Sequence, residues 1–441
     1  MPDEARQPSH YVKWCQFTQS VVALKDEGRI FNYLCLSAHF CRKAFYFENK
    51  PSPNLFLQRG EIMTKELDWD VAVVGLGSMG SFAFWQLARM GVNVVGFDRY
   101  RPGHDKGAGH GETRIFRTAY GEGVEYVPLL KEARLLWREL EGETGVELYT
   151  ENGGTMFGPK GDIFMKNVEA SVNEFSLPHK KYTGSEAKKV YPQINFKENH
   201  VAIYEEFAGF LRPELSIETA VKRGEELGGN IFTESPVEKI EADENGVTII
   251  CEDRQFRVKK VIVSSGGWTS QILPELKLPL SLERQVLVWY DAKNPEQFTP
   301  EKFPIFSRMK DGIGFYGFPT VDGKTVKVAL HHGGQIVNHP DEVDREIHES
   351  DLEPVTEKVK EYFPDLIPVP VKAKTCFYTN TPDEHFILGP APGLPNVTLL
   401  GPMAGHGFKF APIMGKIAAE LATDKTPTLE IGMFDPSRFN Q

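Results

Sequence analysis

Few side chains in this 441-residue chain have the type and spacing to do chemistry. The five cysteines, Cys15, Cys35, Cys41, Cys251 and Cys376, form no C-x-x-C pair and join no His/Cys cluster with zinc-ligand spacing. A lone cysteine is ordinarily a small buried apolar residue, and Cys376 in "KTCFYTNTPDEHF" carries that expectation at first sight. Arg114 and Arg117 stand three apart in "HGETRIFR". A guanidinium can clamp a carboxylate with two hydrogen bonds. The commoner fate is a surface ion pair, with Glu112 or Glu122 at hand. Lys409 lies among aromatics in "GHGFKF", after a Gly-rich turn, and would either meet an anion or cap that turn. Lys327 alternates with Val326 and Val328, so a strand would point it to the opposite face. His331 shares its parity and could line the same cavity. Tyr316 in "FYGFP" and Tyr378 are candidates for an aromatic wall, or for plain core packing. Asp383 and Glu384 in "TPDEHF" read as turn residues rather than catalysts.

A second set of residues would bind rather than react. Gly75-Leu76-Gly77-Ser78-Met79-Gly80 is G-x-G-x-x-G, which is weak evidence alone. Here it follows the apolar run "DVAVVG" and opens a helical stretch, and Asp98 lies 18 residues after Gly80 at the end of the next strand. That context is the dinucleotide fingerprint. The glycines let backbone approach a pyrophosphate, the helix start offers free N–H groups, and Asp98 accepts from a ribose diol. Arg99, next in sequence, and Val237 are further candidates for this site. Two more stretches favour FAD over NAD. "VKKVIVSSGGW" is an apolar strand ending in a turn that holds Gly266 and Trp268. "NVTLLGPMAGHGFKFAP" is a terminal strand, a turn with Gly405, Gly407 and Phe408, and a helix start suited to donate to a flavin.

These residues need elements to place them. After residue 62 the chain alternates strands and helices. The helix "YVPLLKEARLLWRELEGETG" carries Leu129, Leu130, Ala133, Leu136 and Trp137 on one face. A second helix is read in "ELSIETAVKRGEELGG", a strand pair in "GVTIICEDRQFRVKKVIVSS" and a helix opening at "WTSQIL". From about residue 280 to 376 the pattern turns to strands, with one helix near "EPVTEKVKEYF". The reading is an α/β (α+β) protein with a Rossmann-like dinucleotide-binding domain at 68–148, 208–278 and 376–441. It is interleaved with a sheet-rich substrate domain at 149–207 and 279–375. Residues 1–62 show no sustained period and are read as an extension outside the fold, with Met63 as the expected natural start.

Composition narrows the function. A net charge of −11 argues against nucleic acid as partner. No apolar run reaches the ~18 residues of a membrane span, and "MPDEARQPSH" lacks the basic start of a signal peptide. Few, unpaired cysteines fit a reducing compartment, so the expected location is cytoplasmic.

From about residue 69 to 439 the chain resembles the monomeric sarcosine oxidase and N-methyl-L-tryptophan oxidase family. The resemblance is carried by "GHGETRIFRTAYGEGVEYVPL", "FYGFP", "CFYTNTPDEHFILG" and "GHGFKFAP". It implies a fold of the glutathione-reductase and D-amino-acid-oxidase type. It also implies an FAD enzyme that oxidises secondary amino acids with O2, releasing H2O2 and an imine that hydrolyses to an aldehyde. It places a covalent flavin bond at Cys376, where nearby positive groups would help a thiol of ordinary pKa about 8.5 to react. Arg117 and Lys409 would contact the substrate carboxylate, Arg114 and His110 would lie by the flavin, and Lys327 would activate O2. Partners would be a small secondary amino acid and O2, and the protein a monomer. One departure is Ala108-Gly109-His110-Gly111 where the family often reads Ser-His-His-Gly, so one histidine of the polar network is missing. Alternatives are a flavin oxidase of another amine (glycine, D-amino-acid or pipecolate type) and a non-catalytic dinucleotide-binding protein.

Overall fold

The computed structural model describes residues 69–439 except 253 and 311–312, together with two short strands near the N-terminus. Those strands, Ala23–Asp26 and Arg29–Asn32, pair antiparallel. Four residues each are too few to show a period in sequence, which is why no strand was expected there. The other expectations for 1–62, including a start at Met63, lie outside the described residues.

Trp69–Val74 is the centre of a mostly parallel sheet. Val71 to Val74 are all buried, because both faces of a central parallel strand are covered. Val94–Phe97 pairs with it on one side and Arg254–Val263 on the other, both parallel. Asn230–Phe232 extends the sheet beyond Val94–Phe97. Gly246–Cys251 and Lys239–Asp243 add an antiparallel edge, and Val397–Leu400 runs parallel to Arg254–Val263. The helix Gly80–Arg89 follows the first strand and is buried almost all round. It packs against the helices Pro213–Glu226 and Ala411–Ala422.

A second sheet has nine strands. Ser281–Ala292 is its longest contact line, with Thr325–His331 on one side and Leu366–Asn380 on the other. Ile313–Gly317 and Ile305–Lys310 continue it to Gly154–Pro159, His200–Glu205 and His179–Thr183. Period two sorts its side chains. Val326 and Val328 join Phe157, Tyr290, Phe315 and Tyr362 on the face covered by the helix Glu349–Tyr362. Leu287, Trp289, Ala329 and Cys376 pack together on the other face, to which Lys327 also points. A small third sheet ties Arg114–Phe116 to Gly209–Leu211 and Tyr149–Thr150.

The helix expected at "WTSQIL" is a single turn, Thr269–Ile272, after the 3-10 turn Gly266–Trp268. The helices Ile163–Glu174 and Gly184–Val190 were not anticipated. Asp162 starts the first by accepting the N–H of Phe164, and Thr183 with Glu186 forms a capping box on the second. The chain passes repeatedly between the two large sheets. On that basis we propose the division read from the sequence, with Leu366–Asn380 crossing its boundary at 376. Among the described residues no helix is long and apolar enough to cross a membrane.

Candidate active site

One cleft runs from the carboxyl ends of the parallel strands to the second sheet. At its first end lie Gly75, Gly77, Ser78 and Met79, with Asp98, Arg99 and Val237 beside them and Gly266 and Trp268 opposite. Gly75 has φ +90°, and a Cβ there would fall 2.5 Å from the carbonyl oxygen of Ser264. A Cβ on Gly80 would sit 1.8 Å from the carbonyl oxygen of Gly75, so strand, turn and helix can close only without it. A Cβ on Gly77 would meet nothing within 4 Å, because it would project into open space. Asp98 is 7 % exposed and accepts the N–H of Leu76 at 2.7 Å and of Tyr100 at 2.8 Å. Burial raises its carboxyl, and the Tyr100 N–H, then His104 at 3.7 Å, then the Leu76 N–H oppose that rise. A carboxylate has about four lone-pair positions, so two remain for a ribose diol. Arg99 is exposed and forms an ion pair with Asp341, which also accepts from Trp268 Nε1.

The middle of the cleft is lined by Arg114, Cys376, Tyr316, Tyr378 and His331. Cys376 is 2 % exposed, opposite Gln285 on the neighbouring strand. Arg114 Nη2 lies 3.7 Å from its sulfur. The Gln285 side-chain nitrogen is buried in this wall with no partner among the described residues. His331 Nδ1 is 3.3 Å from the Tyr378 hydroxyl, and burial followed by His332 holds His331 down at about 3. It is therefore a neutral imidazole near pH 7.

Arg117, Glu122, His406 and Lys409 line the far end, with Gly405, Gly407 and Phe408 on the same turn. Arg117 is 4 % exposed, so it is no surface arginine. Its Nη2 reaches both oxygens of Glu122, at 2.5 and 2.6 Å, and its guanidinium lies 4.5 Å over the Tyr120 ring. Burial would raise the Glu122 carboxyl, but Arg117, His406 and Lys409 hold it at about 2. Lys409 is pushed the other way, by burial and then Arg117, down to about 7, with Glu122 opposing. Tyr120 and His406 complete the group. His406 Nε2 faces the carbonyl oxygen of Glu384 and so carries the proton, which makes Nδ1 the acceptor for the Tyr120 hydroxyl at 2.6 Å. Below them Glu205, fully buried, accepts the N–H groups of Thr118 and Ala119. It fixes the turn that leads from Arg117 to Glu122.

Three expected residues are off the cleft wall. Gly80 acts through backbone closure. His110 is 2 % exposed with both ring nitrogens unpartnered among the described residues, and burial followed by Arg114 and Lys374 lowers it to about 3. Lys327 is 3 % exposed behind the wall and donates to the carbonyl oxygens of Gly111 and Thr113. Asp383 pairs with Arg438, and Glu384 offers only its carbonyl to the site, as turn residues do. Tyr120, His406 and Glu205 were not singled out from sequence. The first two sit inside "RTAYGEG" and "GHGFKF", so proximity to Arg117 and Lys409 was a signal for them. Glu205 gave none.

The nucleotide turn, the spare acceptors of Asp98, the unpartnered Gln285 amide and the sulfur at mid-cleft fit an FAD laid along this cleft. Fold and site together are those of a flavoprotein of the amino-acid-oxidase class. The chain belongs to the FAD-dependent oxidoreductase family, whose model matches residues 70–421. It is similar to monomeric sarcosine oxidase of Streptomyces avermitilis, 35% identical over 375 residues that cover 84% of this chain and 97% of that protein. It is also similar to N-methyl-L-tryptophan oxidase of Salmonella agona, 34% identical over 382 residues covering 85% and 100%. Among solved structures, NikD, an amino acid oxidase of nikkomycin biosynthesis, shares the fold at a TM-score of 0.74 and 22% identity, covering 84% of this chain and 98% of that one.

Proposed function

We propose that the chain is a flavin-dependent oxidase of N-methyl or other secondary α-amino acids, with sarcosine and N-methyl-L-tryptophan as the leading substrates. The observation that carries this reading is the buried pair Arg117 and Lys409 at one end of a cleft whose other end is the dinucleotide turn. With Glu122 ionised, Arg117, Lys409 and Glu122 sum to one positive charge, which matches one carboxylate. Bound in this cleft, FAD would supply two-electron oxidation of the carbon next to nitrogen, with O2 as final acceptor and H2O2 as product.

The residues of the chain do the rest. Arg117 and Lys409 hold the carboxylate, and this fixes the carbon to be oxidised in one place. Tyr316, Tyr378 and the neutral His331 wall the amine and keep water out. A neutral imidazole there does not repel the amine, which must lose its proton before it is oxidised. Lys327 serves the reduction of O2: burial and then Arg114 push its ammonium well below the usual range, so negative charge developing on O2 is what favours its protonated form there. Cys376 tethers the cofactor, with the Arg114 guanidinium beside its sulfur. The imine leaves and hydrolyses to the demethylated amino acid and formaldehyde.

The test is a panel of amines offered to the purified holoenzyme in air. Equal amounts of H2O2 and formaldehyde from N-methyl α-amino acids are expected. Turnover of amines that lack a carboxylate, at rates equal to those of the amino acids, would overturn the reading.

A further inference from the structure

The turn at Gly111, Glu112 and Thr113 lies off the cleft wall, yet it joins several elements. Glu214, in the first turn of the helix Pro213–Glu226, accepts the N–H of Gly111 at 2.6 Å and of Glu112 at 3.2 Å. Both residues are left-handed, Gly111 at φ +99° and Glu112 at +71°. Successive N–H groups in such a turn converge on an anion, and here the anion is the carboxylate of Glu214. A non-glycine residue in this region is strained and persists only when its surroundings hold it. A Cβ on Gly111 would lie 2.3 Å from Leu287 Cδ1, so the Leu287 side chain would have to shift to admit one.

The far side of the same turn holds Lys327. Its Nζ donates to the carbonyl oxygen of Gly111 at 2.7 Å and of Thr113 at 2.8 Å. Phe318 lies at 4.1 Å and Trp289 at 5.7 Å, and Arg114, Glu112, Glu214 and Cys376 act on it through space. No described carboxylate forms an ion pair with it. The Glu112 carboxylate is engaged elsewhere, by Trp289 Nε1 and Lys372. The aim of the ammonium is therefore set by two carbonyls, and the aim of those carbonyls by the turn.

We propose that Glu214 is a positioning residue for Lys327: by holding the left-handed turn at Gly111 and Glu112 it fixes the two carbonyls that aim the ammonium. This rests on the reading of Lys327 as the cation that serves O2. Glu214 touches neither the cleft nor Lys327; its carboxylate also favours the Lys327 ammonium through space, and Glu214→Gln, which removes that charge but keeps an acceptor oxygen, separates this effect from the hold on the turn.

The experiment compares Glu214→Ala, Glu214→Gln, Lys327→Met and the double variant Glu214→Ala/Lys327→Met, all as holoenzyme. Hydrogen exchange over residues 107–116 reads the turn directly. Glu214→Ala should speed exchange of the Gly111 and Glu112 amides about tenfold or more, while Glu214→Gln, which keeps an acceptor oxygen, should stay closer to wild type. Stopped-flow reoxidation by O2 should fall about tenfold in Glu214→Ala, with anaerobic reduction by substrate within about twofold of wild type. In the Lys327→Met background the Glu214 substitution should add nothing further. Unchanged exchange, or losses that multiply in the double variant, would overturn the inference. If Lys327→Met reoxidises at the wild-type rate, the O2 reading of Lys327 falls instead, and the exchange data still decide whether Glu214 holds the turn. If Glu214→Ala does not fold, Glu214→Ser, whose side chain is too short to reach the turn, carries both measurements, and a wild-type reoxidation rate combined with freed amides would refute the coupling.

Discussion

Lys409 sets the charge available to a substrate carboxylate, and it titrates in the working pH range. Burial, then Arg117, bring its ammonium from 10.5 to about 7. An anionic ligand binds the protonated form. As pH rises through about 7 the free protein loses that proton, and carboxylate binding must weaken. The limiting slope is a tenfold increase in Kd per pH unit. It ends at the higher pKa that Lys409 acquires beside the bound carboxylate. A charge-assisted hydrogen bond contributes about 1.5–3 kcal/mol, so the total loss levels off at roughly ten- to 150-fold. Lys409→Met should bind with that penalty already at about pH 6 and show no further fall. Lys409→Arg keeps its charge and should show a flat profile without the penalty. The assay is titration of the flavin absorbance with a carboxylate that has no amine, such as propionate, because its own charge is constant over this range. A wild-type Kd that is constant from about pH 6 to about pH 9, or a Met variant with the wild-type slope, would refute the assignment.

Three further outcomes follow from the geometry. Cys376→Ala should release all its FAD on acid precipitation, whereas the wild-type pellet stays yellow; a yellow pellet from the variant would mean that another residue carries the bond. Lys327→Met should slow reoxidation by O2 by about 10²–10³ and anaerobic reduction far less, and equal losses in both half-reactions would remove Lys327 from the O2 step. Gly80→Ala drives a Cβ to 1.8 Å from the Gly75 carbonyl oxygen, so the protein should lose most of its FAD and melt lower. A variant with full flavin content and unchanged melting would show that the turn is not as tight as described.

What was legible in sequence was local. The glycine fingerprint and Asp98 lie within one strand-turn-helix-strand, and their spacing alone fixes their shared site. The apolar stripe of the helix Val127–Thr144 is buried at every position read from its period, from Leu129 to Trp137. The parity of Lys327 with respect to Val326 and Val328 followed from the pleat of one strand. What was not legible depends on contacts between distant segments. Glu214 reaches Gly111 across 103 residues, and Tyr120 reaches His406 across 286. No period or motif encodes such pairs. Arg117 shows the middle case. Its partner Glu122 is five residues away and visible, but whether the pair is a surface salt bridge or a buried clamp depends on Tyr120 and Phe164 closing over the guanidinium. Lys327 was expected on the wall beside His331. Two carbonyls of a turn far away in sequence draw its ammonium behind that wall.

The most direct test of the account is the visible spectrum of the holoenzyme on anaerobic addition of an N-methyl α-amino acid. The account predicts that the yellow oxidised flavin bleaches with sarcosine or N-methyl-L-tryptophan and recovers when air is admitted. A flavin that stays oxidised with every N-methyl amino acid, yet bleaches with an amine that lacks a carboxylate, would contradict it.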